Sequence, residues 1–100
     1  MKPMSWTFLT NHAQVLLCIS SNPDMRMREI AVQVGITERA AQRIVGDLVD
    51  EGYVTRRKIG RRNEYTVNPD APLRHPISRD HEIGEVLAAL GAERPARKAA

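Results

Sequence analysis

The stretch MREIAVQVGITERAAQRIVGDLVDE, residues 27–51, decides the fold, because it holds two helical patterns separated by a tight turn. In the first pattern, apolar residues recur at the i, i+3, i+4, i+7 spacing of one buried helical stripe. Gly35 follows this pattern and suits the left-handed position just after a helix. The spacing therefore predicts a short helix over 27–34. Its stripe consists of Met27, Ile30, Ala31 and Val34.

The second pattern predicts a longer helix from about Glu38 to Glu51, capped by the hydroxyl of Thr37. At about 100° per residue, its outer face is basic in the first half and acidic in the second. Acids near a helix C-terminus oppose the helix dipole, so local helix stability does not explain them. A helix that enters DNA by its first half would keep these acids away from the phosphates. The predicted apolar face consists of Ala41, Ile44, Val45, Leu48 and Val49.

Two antiparallel strands are predicted after this helix, over 53–57 and 63–67, because Tyr, Val and Thr suit strands. The segment RRKIGRRN, residues 56–63, holds five cations and no acid. Gly60 gives this loop its backbone freedom. The pattern therefore predicts a small hairpin with a strongly positive tip.

The flanking segments predict one more helix on each side. Residues 10–21 form a helix capped by Thr10, and Trp6 and Phe8 just before it are expected to pack over it or onto a second subunit. Residues 1–67 then make one domain, followed by a proline-rich connector over 68–78. A last helix is predicted over 79–90, with Ser78 or Asp80 as its cap and Gly91 closing it, and 92–100 as a disordered tail.

The composition of the 100 residues is ordinary for one globular domain with a modest core. A net charge of +3 says little by itself, so the distribution of charge matters more. The apolar runs are far shorter than the roughly 20 residues that span a bilayer, and no signal peptide is recognised. The lone Cys18 fits a reducing compartment, so we expect a cytoplasmic protein.

The segment MREIAVQVGITERAAQRIVGDLVDEGYVTRRKIGRRNEYTVN resembles the winged helix-turn-helix of bacterial transcription regulators of MarR type and ArsR type. The shorter motifs LTNHAQVL, ITERAAQRIV, GRRNEY and PLRHP together resemble a group of short actinobacterial regulators of this class. The resemblance covers roughly residues 5–90. It implies an α+β winged helix-turn-helix: a three-helix core, a two-stranded hairpin wing and a C-terminal helix. Residues 37–49 would be the recognition helix, and 56–63 the wing.

Full MarR-type proteins carry longer flanking helices that form the dimer and often a ligand pocket. Here only the N-terminal segment and helix 79–90 are available for these roles, so a homodimer through them is expected and an effector stays open. The expected partner is double-stranded DNA, with the recognition helix in the major groove and the wing on phosphates or in the minor groove. The candidate contacts are Thr37, Glu38, Arg39, Gln42 and Arg43 on the helix, Arg56, Arg57, Lys58, Arg61, Arg62 and Asn63 on the wing, and Arg28.

Other functions were weighed against this hypothesis. A winged helix can also be a protein-interaction module, but that use calls for an apolar patch, and Ile59 is the one apolar residue at the tip. RNA binding calls for exposed aromatic residues, and the four in this chain are expected to be structural. His12 and Cys18 fall on different helix faces, and only His81 and Glu85 could share a ligand set with a second subunit. We therefore expect no metal, no cofactor and no catalytic site.

Overall fold

The computed structural model describes residues 6–91, so the predicted tail over 92–100 lies outside the described residues. Three helices precede a two-stranded antiparallel hairpin, and a short helix follows it. This order confirms the predicted winged helix-turn-helix. No helix in 6–91 has the length and apolar character needed to cross a bilayer. The elements are α1 (Asn11–Ser21), α2 (Met27–Val34), α3 (Glu38–Asp50), β1 (Val54–Ile59), β2 (Arg62–Val67) and α4 (Ile83–Ala89).

The helix starts are fixed by side chains that accept backbone N–H groups. Thr10 Oγ1 accepts from the N–H of Ala13 at 3.2 Å, and Thr37 Oγ1 accepts from the N–H of Ala40 at 3.0 Å. Both hydroxyls replace partners that the first turn of a helix lacks, so both predicted caps are confirmed. Gly35 ends α2 with a φ of +86°, a conformation that L side chains rarely adopt.

The core lies between α1, the inner faces of α2 and α3, and the base of the hairpin. The most deeply buried large side chains are Leu16, Ile19 and Ile30, at 1%, 2% and 0% exposure. Burying a side chain of this size contributes about 1.5–3 kcal/mol each. No polar or charged residue in 6–91 is buried. All but one of the apolar residues predicted for the α3 stripe are buried, namely Ala41, Ile44, Val45 and Leu48, and Val49 is partly buried.

The hairpin strands are longer than predicted, and the loop between them is only Gly60-Arg61. Gly60 has a φ of +62° and Arg61 does not have a positive φ, which is the pattern of a type II′ turn. This turn matches the twist of the two strands, so pairing continues to Ile59 and Arg62. The predicted loop between the strands is therefore too long: Lys58, Ile59 and Arg62 are strand residues, and of the five cations only Arg61 stands in the turn.

The last helix begins at Ile83 rather than at 79, and neither Ser78 nor Asp80 caps it. Its first turn is held instead by the Glu85 carboxylate, which accepts from the backbone N–H of Glu82 at 2.9 Å. The segment before it is needed for chain pairing, because Leu73 N–H donates to the His81 carbonyl at 2.9 Å. Because the His81 carbonyl accepts from Leu73 and the Glu85 N–H donates to the Glu82 carbonyl, the helical hydrogen bond from Glu85 to His81 does not form.

The connector does not run free but attaches α4 to the rest of the domain. Ile83 N–H donates to the Ala71 carbonyl at 2.8 Å, and Gly84 N–H donates to that of Pro69 at 2.9 Å. The Tyr53 hydroxyl donates to the Pro72 carbonyl at 2.7 Å. Ile83 and Leu87 are buried in the common core. The apolar side of this helix is therefore largely covered within the described residues, although Leu90, just after it, is 47% exposed.

Of the two alternatives predicted for Trp6 and Phe8, the structure tests only packing over α1, and contact with a second subunit stays a prediction. Trp6 and Phe8 are 67% and 91% exposed, so they do not pack into the core of the described chain. Their rings contact each other edge to face, with centroids 4.9 Å apart. Only Tyr53 and Tyr65 are structural aromatic residues with buried rings. Cys18 on α1 is partly buried.

Candidate functional site

The outer face of α3 is a continuous polar surface. Arg39, Gln42 and Arg43 are all exposed, and their spacing of three and four residues places them on one side of the helix. Ala41 and Ile44 on the other side are buried, which fixes the rotation of the helix about its axis. The three polar side chains therefore point away from the core, as the sequence predicts. Thr37 and Glu38 are exposed at the start of the same helix, where Thr37 is also the cap.

Two of the acids that end α3 have partners on other elements. His12 Nε2 on α1 lies 2.8 Å from Asp47 Oδ2, and Arg74 Nε in the connector lies 3.5 Å from Glu51 Oε1. These contacts give the acids a tertiary role that local helix stability does not explain. The unfavourable position of these acids at the end of a helix could be read from the sequence, but their partners His12 and Arg74 could not be predicted from it.

The two faces of the hairpin carry different cations. Arg56 pairs with Tyr65, and Lys58 pairs with Asn63, on the face whose base is buried against the helices. Arg57 pairs with Glu64 on the opposite face. The wing cations, predicted as one cluster, therefore lie on two faces of the hairpin. The inner pair is Arg56 and Lys58, and Arg57 lies on the outer face. Only the inner pair shares its face with Tyr65.

A cleft of about 330 Å³ separates the hairpin from the helices. Its walls include Asp24 and Arg26 before α2, Gln42 on α3, and Arg62, Asn63 and Tyr65 on β2. The structure thus brings predicted residues of the helix and of the wing to one place. Among the cations of α3 and the hairpin, Arg62 alone has a carboxylate within 4.0 Å in the described chain, that of Asp24.

A second cleft, of about 480 Å³, lies where the N-termini of α2 and α3 meet. Arg28 and Glu38 both line it, together with Arg26. The structure therefore brings the predicted Arg28 next to the start of α3.

The titratable groups with shifted pKa values lie away from these clefts. The Glu85 carboxylate, whose Oε1 accepts a hydrogen bond from His81 Nδ1 at 2.7 Å, raises the pKa of His81. The hydrogen bond that Glu85 accepts from the backbone N–H of Glu82 lowers the pKa of Glu85, and the hydrogen bond that it accepts from His81 lowers this pKa further. Burial raises the pKa of the Cys18 thiol, which donates a weak hydrogen bond to Gln33 Oε1 at 3.7 Å. In 6–91, no three His, Cys, Asp or Glu side chains group closely enough to hold a metal ion.

Comparison with known proteins identifies a matching family model and similar solved structures. The model of the MarR family matches residues 6–61, more than half of the chain. Among solved structures, nine chains match. One is the zinc-dependent MarR family transcriptional regulator AdcR in the Zn(II)-bound state, with 22% identity and a TM-score of 0.47. The match covers 68% of this chain and 49% of that one, so this chain spans about half of its length. No curated protein matches.

Proposed function

This chain belongs to the MarR family, and on that premise we propose that it is a transcription regulator that binds double-stranded DNA with sequence preference. The observation that supports this most is the adjacency of two surfaces. The exposed side chains of Arg39, Gln42 and Arg43 lie on α3, and the cationic hairpin stands across a cleft from that helix. A helix flanked by a positive wing matches a major groove flanked by phosphates.

The two surfaces have different tasks in this proposal. Residues 37–49 enter the major groove, where arginine donates to guanine and glutamine pairs with adenine. The wing over 56–63 contacts phosphates or the adjacent minor groove and supplies salt-dependent affinity. Arg28 contacts phosphate beside the start of α3. Thr37, Glu38 and Asn63 border these contacts.

We further propose a homodimer on a pseudo-palindromic operator, with half-sites one helical turn, about 34 Å, apart. Large apolar side chains at both ends of the described chain support it. Trp6 and Phe8 are exposed before α1, and Leu90 is exposed just after α4. Contacts through the N-terminal segment and the last helix would remove these side chains from water. A bacterial cytoplasm and the ArsR-type likeness stay predictions.

A protein-interaction module has less support than DNA binding. Such a surface needs an apolar centre, and on α3 and the hairpin Ile59, at 48%, is the one strongly exposed large apolar side chain. The remaining exposed side chains on that surface are polar or charged.

The test is a titration of the protein against genomic DNA fragments and random duplex at two salt concentrations. Arg43→Ala should reduce the preference for the selected fragment over random DNA. Arg61→Ala should weaken binding to both DNAs equally and lower the salt slope by about one. Arg61 is the better wing variant because Arg62 is paired with Asp24. Equal effects of the two variants would contradict the division of tasks, and no binding by the native chain at low salt would refute DNA binding.

A further inference from the structure

We propose that the cleft between the hairpin and the helices binds one phosphodiester of the DNA backbone, and that the hydroxyl of Tyr65 donates a hydrogen bond to it. This inference rests on the proposed DNA binding. It assigns a contact to a residue that the sequence marks only as part of the core. It also gives the cleft a ligand of stated chemistry.

The state of the Tyr65 hydroxyl supports the assignment. The residue is 6% exposed, and its hydroxyl has no hydrogen-bond partner within the described chain. The Tyr65 hydroxyl is also not fully buried. In 6–91, Ser20 Oγ is the one fully buried side-chain oxygen or nitrogen that has no hydrogen-bond partner, so a partnerless Tyr65 hydroxyl must be accessible to solvent. Tyr65 lines the cleft. A phenol held rigidly by its buried ring thus reaches a polar cleft with its donor unused.

Tyr53 provides the internal comparison. Its ring is buried to nearly the same degree, at 7% exposure, but its hydroxyl donates to the Pro72 carbonyl at 2.7 Å. A buried tyrosine usually finds such a partner. Of the two tyrosines in this chain, the one whose hydroxyl has no partner among residues 6–91 is the one beside the proposed DNA surface.

The surroundings of the cleft favour an anion. Arg62 and Asn63 bring a guanidinium and an amide to it, and Gln42 brings a second amide. Met27, the first residue of α2, also lines it. The N-terminus of α2 is already balanced by the Glu29 carboxylate, which accepts from the backbone N–H of Arg26 at 2.8 Å. The preference for an anion therefore rests on Arg62, Asn63 and Gln42.

One carboxylate opposes the phosphate, and the geometry shows how it is offset. Asp24 Oδ1 lies 4.0 Å from a guanidinium nitrogen of Arg62, and the two side chains are 74% and 64% exposed. An ion pair this long and this exposed is weak. Arg62 can therefore turn from the carboxylate to a phosphate without breaking a buried contact.

The experiment measures binding to a 30-base-pair duplex of random sequence, since a phosphate contact does not depend on sequence. Tyr65→Phe should weaken binding about threefold to tenfold, the effect of one lost hydrogen bond. Its plot of log affinity against log salt should stay parallel to that of the native chain, because a neutral hydroxyl releases no counterion. Arg61→Ala, in contrast, should lower the slope by about 0.9.

Tyr53→Phe is the matched control, and it should leave DNA affinity unchanged although it removes an internal hydrogen bond. Urea unfolding of both variants checks that each is folded under the binding conditions. Equal affinity of Tyr65→Phe and the native chain would overturn the subsite alone. Equal weakening by both tyrosine variants would overturn it in favour of a purely structural effect.

Two further outcomes separate the remaining explanations. Inorganic phosphate should displace the duplex no better than chloride at the same ionic strength, and strong preferential displacement would overturn a phosphodiester site in favour of a free-anion site. No binding by the native chain at any salt concentration would overturn the proposed function and the subsite together.

Discussion

Replacing Gly84 by alanine should destabilise the domain, although alanine is the better helix former. A Cβ at this position would lie 2.9 Å from both the carbonyl oxygen and the Cβ of Pro69. Neither atom is the end of a flexible side chain, so the backbone must shift. That shift strains the hydrogen bond from Gly84 N–H to the Pro69 carbonyl, which attaches α4 to the connector.

The magnitude follows from two opposing terms. Overpacking of this kind costs about 1–3 kcal/mol, and the gain in helix propensity is at most about 1 kcal/mol. We expect a net loss of about 1–2 kcal/mol in the free energy of unfolding, which lowers Tm by about 4–16 °C for a domain of this size. Urea unfolding followed by circular dichroism measures it.

Gly46→Ala is the control, because the same substitution should there have the opposite sign. Gly46 lies inside α3, and a Cβ on it would meet nothing within 4 Å. The gain in propensity is then unopposed, and stability should rise by about 1 kcal/mol. A Gly84→Ala variant as stable as the native chain would refute the reasoning from close packing. A destabilised Gly46→Ala variant would refute the reasoning from open space.

Two more predictions concern the cap of α3 and the ion pair of α4. Thr37→Ala removes the acceptor for the Ala40 N–H and should cost about 1 kcal/mol in urea unfolding, whereas Thr37→Ser should retain most of it. The pKa of His81 is raised above its ordinary value of 6.5, so its contribution to stability is complete below that value and is lost as pH rises through the raised pKa. The pKa of Glu85 is lowered, so its contribution is lost as pH falls through that lowered pKa. In an NMR titration, Glu85→Gln should move the His81 pKa down towards its ordinary value, and an unchanged pKa would contradict the pairing.

Local pattern was sufficient to predict the winged helix and the recognition surface. The caps at Thr10 and Thr37 and the break at Gly35 depend on neighbours a few residues away, so they can be read along the chain. The buried stripe of α3 likewise defines its opposite face. Arg39, Gln42 and Arg43 were therefore placed on the exposed side before any tertiary contact was known.

Tertiary structure decided what depends on contacts between distant residues. The late start of α4 follows from chain pairing between the connector and residues 81–84, which competes with helix formation. The ion pair between His12 and Asp47 joins residues 35 positions apart, and no helical periodicity relates them. The register of the hairpin placed Tyr65 with Arg56 on the inner face. Packing between elements, and not the pattern within one, decides which tyrosine hydroxyl has a hydrogen-bond partner among the described residues and which has none.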